Sequence, residues 1–259
     1  MDSKSMRVLV ACEYSGTVRD AFRRAGHDAM SCDLLPTEAP GPHYQGDVRD
    51  VLDDGWDLMV AHPPCTYLSV SGMHWTTRGL RDPQLTEDAL TFVRLLMDAP
   101  IARIAIENPV SVISSRIRKP DQIVQPWMFG DDASKKTCLW LKGLPRLVPT
   151  AVVAPAHWQR VVYAHELPEC PCCGEPFCTT HDEHYSDCIC VGPHEEDVTI
   201  KTIDGVDFGT RASPPARPLW GNQTPSGQNK LGPSADRWKI RSATYQGIAD
   251  AMADQWGRP

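Results

Sequence analysis

The sequence predicts an α/β fold built on a doubly wound, mainly parallel sheet. Short apolar runs alternate with amphipathic helices as far as Val110, an alternation typical of a parallel sheet covered by helices. Two of these runs end by presenting a reactive side chain at a proline-bounded turn. Cys65 follows Pro63-Pro64, and Glu107 precedes Asn108-Pro109. Open sheets of this kind form their sites where the strands end.

The individual elements follow from the pattern of apolar residues. We predict strands at residues 7–12 and 28–32, a third strand ending near 45–48, and a fourth leading to Cys65. The helix after the first strand has Val18, Ala21, Phe22 and Ala25 on one face and stops at Gly26. A second amphipathic helix covers residues 85–96, with Thr86 as its predicted cap.

The second half of the chain has a different pattern. Residues 127–132 and 137–141 flank a turn, which predicts a β-hairpin. Three prolines between residues 145 and 155 then indicate a boundary, and the chain closes with a helix that places Tyr245, Ile248, Met252 and Trp256 on one face. We therefore expect a catalytic domain at 1–150, a recognition region at 151–234, and a helical segment at 235–259 that returns to the first domain.

Composition excludes some classes of protein. The chain has 259 residues, 41% of them hydrophobic, and no run approaches the roughly 18 apolar residues of a membrane span. The polar N-terminus is not a signal peptide, so we expect a soluble cytoplasmic monomer without membrane contact. The net charge of −7 is unevenly distributed, because residues 166–207 carry eleven acidic side chains and one basic one, whereas residues 208–241 carry six basic side chains and only Asp236 as an acid. The overall charge therefore does not exclude a nucleic acid.

Several acids fall at the predicted strand ends. A glycine turn at Ser15-Gly16 leaves backbone N–H groups free at a helix N-terminus, and Asp33 can accept the hydroxyls of a ribose. We predict a nucleoside cofactor site that contains Glu13, Tyr14, Ser15, Gly16, Asp33, Leu34, Asp47, Val48 and Pro63. An α/β fold with ordinary solvated acids is the alternative.

Cys65 and Glu107 together suit covalent catalysis on a cytosine. Carbon 5 of cytosine becomes nucleophilic only after a thiolate adds to carbon 6, and the charge that develops at ring nitrogen 3 then needs a carboxylic acid. We predict that Cys65 and Glu107 supply these groups and that Pro64 and Asn108 hold the turns. A buried cysteine and a salt-bridged glutamate are the alternative.

These motifs resemble those of the DNA (cytosine-5) methyltransferases. The resemblance covers residues 6–150 and 235–257 and is strongest to the small phage and prophage versions. It implies a Rossmann-like class I fold and S-adenosylmethionine as cofactor. It also implies double-stranded DNA as partner, in a bacterial or phage-infected cell near the nucleoid, with restriction-modification as the setting. The usual Phe-x-Gly-x-Gly opening is replaced by residues 12–16, and the usual Gln-x-Arg-x-Arg motif is absent, Lys135 and Lys136 being the nearest basic residues.

The segment between Cys170 and Cys190 holds six of the ten cysteines. In a chain without an export signal such a cluster more often binds metal than forms disulfides. We predict one or two structural zinc ions, held by members of the set Cys170, Cys173, Cys178, His181, His184, Cys188 and Cys190. His181-Asp182-Glu183 also resembles half of the deaminase signature, but it follows the Cys-x-x-Cys pair, which argues against a deaminase.

DNA affinity is expected outside this acidic segment, because phosphate contacts need cations. We predict that Arg211, Arg217 and Lys230 contact DNA together with Lys135 and Lys136. A flexible surface loop is the alternative for residues 211–241. Two further functions remain open: an exocyclic-amino DNA methyltransferase, and a non-catalytic zinc-containing DNA-binding or anti-restriction protein on the same fold.

Overall fold

The computed structural model describes residues 5–154, 157–163, 177–178, 183–184, 197–201, 217–224, 229–234 and 236–258. The chain divides into two compact units. Unit 1 comprises Met1–Val153 and Pro233–Pro259, and unit 2 comprises Ala154–Gly232. The sequence prediction places these boundaries at 150/151 and 234/235.

Unit 1 contains a seven-stranded sheet. Its strands are β1 (Arg7–Ala11), β2 (Asp28–Asp33), β3 (His43–Gln45), β4 (Leu58–Ala61), β5 (Arg103–Pro109), β6 (Gln122–Val124) and β7 (Thr137–Lys142). They lie in the order β3-β2-β1-β4-β5-β7-β6, and β7 runs antiparallel to both of its neighbours. The order reverses beside β1, where the chain leaves one edge and continues with β4 on the other side, as in Rossmann folds. The doubly wound, mainly parallel sheet that the sequence predicts is confirmed.

The helices of unit 1 cover both faces of this sheet. They are α1 (Thr17–Arg24), α2 (Val70–Thr77), α3 (Gln84–Met97), α4 (Ile113–Arg116), α5 (Arg237–Ser242) and α6 (Gln246–Trp256). Because side chains alternate along a strand, Val8 and Val10 of β1 pack with α1 and α6, whereas Leu9 and Ala11 pack with α3. Both faces of the central strands are buried, which explains why β1 and β4 are almost entirely apolar.

The structure differs from the sequence prediction in three respects. The hairpin exists, but its first strand is β6 at 122–124, and a 3-10 turn occupies Pro126–Met128 where we expected strand. Thr86 does not cap α3, because Pro83 is the N-cap and the Thr86 hydroxyl instead donates to the Tyr67 carbonyl at 3.2 Å. The short helices α2 and α5 were not predicted, since neither buries a continuous apolar face.

Unit 2 contains short strands in its described part. A three-stranded sheet has the order β11-β8-β12, formed by β8 (His157–Tyr163), β11 (Asp197–Lys201) and β12 (Arg217–Leu219). Two further strands, β9 (Phe177–Cys178) and β10 (Glu183–His184), pair antiparallel. Across all described residues, no helix has the length and apolar character needed to cross a membrane.

Candidate active site

The ends of β4 and β5 bring the predicted catalytic residues together. These strands are parallel and pair Ala61 with Ile106, so His62 and Glu107 follow at the same edge of the sheet. The two side chains form a hydrogen bond of 2.9 Å between His62 Nδ1 and Glu107 Oε2. The Asn108 amide donates to the Pro63 carbonyl at 2.8 Å. The turn that carries Cys65 is therefore fastened to the strand that carries Glu107.

Glu107 is a buried carboxylate, with 7% of its surface exposed. Burial raises the pKa of the Glu107 carboxyl, but the hydrogen bond from His62 and the positive charges of Lys135 and His62 lower it by more. The net pKa lies below the usual range. Glu107 is therefore ionised at neutral pH although it is almost fully removed from water.

Cys65 has the opposite electrostatic balance. Burial raises the pKa of the Cys65 thiol, and the negative charge of Glu107 raises it further. Lys135 and Arg241 lower it, but by less. The resting protein therefore holds Cys65 as a thiol beside a carboxylate, and the thiol must lose its proton before it can act as a nucleophile.

Lys135 is a cation that lowers the pKa of both Glu107 and Cys65. It lies two residues before Thr137, which pairs with Pro109 at the end of β5. Its ammonium group donates to the carbonyl of Ala243, the residue that ends α5, at 3.1 Å, and its backbone N–H donates to the Gln125 side chain at 2.9 Å. Lys136 is exposed to solvent. The two lysines that we predicted to contact DNA thus differ, because Lys135 is already engaged at the site.

The turn after β1 begins a second group of predicted residues. Gly16, with φ 78°, is the N-cap of α1, a conformation that favours glycine. The Glu13 carboxylate is buried and accepts the N–H groups of Val18 at 2.7 Å and Arg19 at 3.2 Å. Ser15 Oγ lies 3.3 Å from Glu13 Oε1. In this structure Glu13 therefore caps α1, and its predicted contact with a cofactor stays a prediction.

Tyr14 connects this turn to the end of the chain. Its hydroxyl lies 3.3 Å from Ser242 Oγ, and its ring lies 5.9 Å from the ring of Trp238. Both partners belong to α5. Helix α5 therefore packs on the turn that the sequence assigns to a cofactor.

A cavity of about 250 Å³ opens at the ends of β1, β2 and β3. Its volume is close to the lower end for small-molecule pockets, roughly 300–1,000 Å³. It is lined by Cys12, Cys32, Asp33, Leu34, Gly46, Asp47, Val48, Arg49, Pro64 and Phe92. The structure thus brings four of the predicted cofactor residues and Pro64 into one cavity. The predicted residues Glu13, Tyr14, Ser15, Gly16 and Pro63 do not line it.

The two acids of the cavity differ in how many of their carboxylate oxygens accept hydrogen bonds within the protein. Asp33 accepts the Leu35 N–H with one oxygen at 2.9 Å, and burial raises the pKa of its carboxyl. Asp47 is the N-cap of a 3-10 turn and uses both oxygens on Arg49, at 3.0 Å each. Asp33 is therefore the acid with an oxygen available for ribose hydroxyls.

Five lining residues were missed by the sequence prediction of this site: Cys12, Cys32, Gly46, Arg49 and Phe92. Burial raises the pKa of the Cys32 thiol to about 12. Cys12 has φ 58°, which is uncommon for a residue with a side chain. Phe92 lies under the Arg49 guanidinium, 5.5 Å from its ring centre, and comes from α3. No local pattern marks such a contact, because it depends on how the helix packs on the sheet.

Arg19 orders the loop beside the cavity. Its side chain is fully buried and donates to Asp20, Ser31 and Thr37 and to the carbonyls of Ala39 and Pro40. A buried guanidinium is tolerated only when its donors are paired. Arg19 therefore fixes the segment between β2 and β3 against α1. In the sequence, the burial of Arg19 is indicated only by its position next to the apolar residues of α1.

Polar atoms without partners remain at the strand ends. His62 Nε2, Asn108 Oδ1 and Ser111 Oγ are buried and have no hydrogen-bond partner among the described residues. Buried polar groups in proteins are nearly always paired. Thr76 Oγ1 and Arg237 Nε are likewise buried without a partner among the described residues, and the three atoms at the sheet edge are available to a polar ligand.

The predicted zinc and recognition residues lie largely outside the described residues. Cys170, Cys173, His181, Cys188, Cys190 and Arg211 are outside them, and Cys178, His184 and Arg217 belong to β9, β10 and β12. Lys230 is exposed and donates its N–H to the Asn222 carbonyl at 3.0 Å. Within the described part of the chain, no group of three or more His, Cys, Asp or Glu side chains is arranged to hold a metal ion.

Comparison with known proteins gives a weak structural likeness. No protein-family model matches the chain, and no curated protein matches it. The Entamoeba histolytica methyltransferase EhMeth is similar with a TM-score of 0.41 and 16% identity over 58% of this chain and 58% of that chain. The Dnmt2 methyltransferase of S. pombe has a TM-score of 0.38 and 16% identity over 55% of this chain and 51% of that chain. The chain thus spans little more than half of each, and similarity at this level does not bear on activity.

The charges around Cys65 predict how its alkylation depends on pH. Replacing Glu107→Gln removes a negative charge, so the pKa of the Cys65 thiol should fall and its reaction with iodoacetamide at neutral pH should accelerate. Replacing Lys135→Met should raise this pKa and slow the reaction. Mass spectrometry of the Cys65 peptide after timed alkylation at several pH values measures both effects.

Lys136→Met is the matched control, because it removes the neighbouring positive charge from an exposed site. It should leave the pH dependence of Cys65 close to that of the wild type. Equal shifts from Lys135→Met and Lys136→Met would show that Lys135 has no specific contact with the thiol's surroundings.

Proposed function

We propose that the protein is an S-adenosylmethionine-dependent DNA (cytosine-5) methyltransferase that acts through a covalent Cys65 adduct. The main support is that Cys65 and Glu107 follow the ends of two adjacent strands. A hydrogen bond from the Asn108 amide to the Pro63 carbonyl joins the two turns that carry them. Next to them opens the cavity that contains Asp33. Nucleophile, acid and nucleoside site thus share one edge of the sheet, where open α/β sheets bind ligands.

The residues present fit the proposed cofactor. Asp33 offers a free carboxylate oxygen for ribose hydroxyls, and Leu34 and Phe92 offer apolar surface for an adenine. The cofactor would supply an electrophilic methyl group. Pro64 lines the same cavity and directly precedes Cys65, so the thiol stands next to the place where that methyl group would arrive.

The polar atoms without partners fit a flipped base. A cytosine ring presents an amino donor and ring and carbonyl acceptors, and Asn108 Oδ1 and Ser111 Oγ are buried and unpaired among the described residues. Enzymes that modify a base inside a duplex extrude it into such a pocket and read its edge by hydrogen bonds. This supports a base as the polar ligand that completes the site.

An exocyclic-amino methyltransferase is the second candidate. Such enzymes place an aromatic residue directly after the proline pair to stack on the base. Cys65 occupies that position here, and the Tyr67 ring lies under the Arg81 guanidinium at 5.4 Å. The ring is therefore engaged elsewhere, which favours the cytosine-5 reaction. The hydrogen bond between His62 and the buried Glu107 likewise argues against a decayed, non-catalytic site.

Covalent trapping tests the proposed activity. A duplex in which 5-fluorocytosine replaces every cytosine should form a stable adduct with the wild-type protein when S-adenosylmethionine is present, because fluorine cannot leave carbon 5 as a cation. Cys65→Ser should form none, and Glu107→Gln should form it more slowly by about 10²–10⁴-fold. Denaturing electrophoresis and peptide mass spectrometry measure the adduct and its site.

Three results would count against this activity. An equal yield of adduct from Cys65→Ser would remove Cys65 from the mechanism. Methyl transfer to adenine, or to the exocyclic nitrogen of cytosine, would support the amino-methyltransferase instead. No methyl transfer at all by a folded protein that still binds DNA would support the non-catalytic alternative. Bisulfite sequencing of DNA from an expressing host reports carbon-5 methylation directly.

We further propose that Arg211, Arg217 and Lys230 in unit 2 provide DNA affinity. The basis is the charge reversal along the chain. Two basic residues of unit 1 are less available, because Arg116 pairs with Glu87 and Arg118 with Asp121, each at 2.7 Å. Lys136 remains exposed and suits a phosphate contact.

Neutralising Arg211, Arg217 and Lys230 together should weaken DNA binding and flatten its salt dependence. The slope of log affinity against log salt should fall by about 0.9 for each phosphate that the protein no longer neutralises. Fluorescence anisotropy over a salt series measures both, and calorimetry should show unchanged binding of S-adenosylmethionine. Neutralising Glu195, Glu196 and Asp197 is the control and should leave DNA binding equal or tighter. If the basic triple variant behaves as the wild type, residues 211–241 are a linker.

We retain structural zinc as a proposal for the segment between Cys170 and Cys190. Elemental analysis should find one or two zinc ions per chain, and chelation should lower the melting temperature, since structural zinc contributes directly to folding. Cys170→Ser with Cys173→Ser should lose metal, whereas Cys32→Ser should keep it, because Cys32 lies in unit 1. A metal-free protein with full activity would contradict the proposal.

A further inference from the structure

We propose that His62 is a positioning residue that holds Glu107 as an oriented carboxylate, ready to take the thiol proton of Cys65 and pass it to the base. This inference rests on the proposed function. It assigns a role to His62, which takes no part in the reaction of Cys65 and Glu107 as proposed above. It also gives Glu107 two successive tasks, first as base and then as acid.

The geometry of the pair supports this role. His62 Nδ1 lies 2.9 Å from Glu107 Oε2, and their side chains are only 12% and 9% exposed. His62 Nε2 is buried without a partner among the described residues. The carboxylate can only accept, so the proton of this hydrogen bond is on Nδ1 and His62 is the donor.

The hydrogen bond also fixes which oxygen of Glu107 is free. Oε2 is used by His62, so Oε1 remains for the thiol and the base. The backbone holds His62 rigidly for this purpose, since its N–H donates to the Ala11 carbonyl at 2.9 Å directly after β4. A buried carboxylate without this donor would favour its neutral form.

The other charged and titratable groups around the pair lie in or next to three strands, β2, β4 and β7. Lys135 lies before β7 and Cys65 after β4, and both interact electrostatically with Glu107. Cys138 of β7 has its thiol pKa raised by burial and by Glu107. Asp33 at the end of β2 has its pKa raised by burial, and His62 is among the groups that lower it. Among these groups only His62 donates a hydrogen bond to Glu107, and this bond is the largest influence that keeps the carboxyl ionised.

The proton transfer balances without an external acid. The S–H bond of Cys65 breaks and its proton moves to Glu107 Oε1, while the sulfur uses the freed electron pair to bond carbon 6. The C5=C6 pair becomes C4=C5, and the C4=N3 pair forms a bond to the proton that Glu107 delivers at nitrogen 3. After carbon 5 has gained the methyl group, its proton leaves to a solvent base. The S–C6 bond then breaks, and the proton on nitrogen 3 returns through Glu107 to the sulfur.

The sign of the pH dependence follows from the carboxylate. Glu107 must be ionised to accept the thiol proton, so the rate of adduct formation falls as the pH drops through the pKa of Glu107. His62→Ala removes the hydrogen bond that lowers this pKa, and burial then raises it. The acid limb of the pH–rate profile should therefore move to higher pH, and the rate should recover in alkaline buffer.

The experiment measures adduct formation with the 5-fluorocytosine duplex against pH for the wild type, His62→Ala and His62→Asn. For each unit by which the limb moves, His62→Ala should be about tenfold slower at pH values below both midpoints, and its rate should approach that of the wild type above them. His62→Asn offers an amide donor to the same carboxylate and should lie closer to the wild type. Loss of packing alone would lower the rate of His62→Ala equally at every pH, and that result would overturn the inference.

A second measurement, on the wild-type protein, does not depend on whether the His62 variants fold. Carbon-13 NMR of the glutamate side-chain carboxyls, with Glu107 assigned by Glu107→Gln, should show Glu107 ionised throughout the neutral range. Titration of Glu107 at or above neutral pH would refute the role of His62. If the wild type forms no adduct at all, the proposed function fails instead, so the two failures are distinguishable.

Discussion

The burial of one negative charge governs the arrangement of this site. Glu107 stands at the end of a central strand, where β4 and β7 flank it and little water reaches it. A buried carboxylate persists only if neighbouring groups compensate its charge. His62 does so from the end of β4 by a hydrogen bond, and Lys135 does so from the start of β7. The two strands that flank β5 thus each supply one compensating group, which explains why the residues at all three strand ends are polar in an otherwise apolar sheet.

Lys135, which compensates the charge of Glu107, also links the residues around Cys65 to the turn after β1. Lys135 can approach Glu107 because its ammonium group is anchored on the Ala243 carbonyl at the end of α5. That helix also carries Ser242 and Trp238, which pack on Tyr14 in the turn after β1. A displacement of α5 would therefore affect both the cation beside Cys65 and the turn at Gly16. The C-terminal segment of unit 1 is thus part of the site, although it lies more than a hundred residues from Glu107 in sequence.

Much of this fold could be predicted, because both faces of a parallel sheet are buried and the strands are accordingly continuous apolar runs. Residues 8–11, Leu58–Ala61 and residues 104–106 are such runs, and the residues that follow them lie at one edge of the sheet. The position of β6 could not be predicted, since three residues on a sheet edge leave little periodicity. His62 was visible in the motif, but its role depends on the register of β4 against β5, and Arg19 and Phe92 depend on helix packing. These are long-range contacts that no local pattern encodes.

The resting charge states of Cys65 and Glu107 fit one another chemically. Environments that push the pKa values of two neighbouring groups apart assign them as acid and base. Here the thiol has a raised pKa and the carboxyl a lowered one, so the proton begins on sulfur and the adjacent carboxylate is the base. The raised pKa keeps the Cys65 thiol protonated between turnovers, which protects it from oxidation and alkylation. The absence of the arginine motif is therefore compatible with catalysis provided that Glu107 moves the proton, and this is the task for which the hydrogen bond from His62 prepares it.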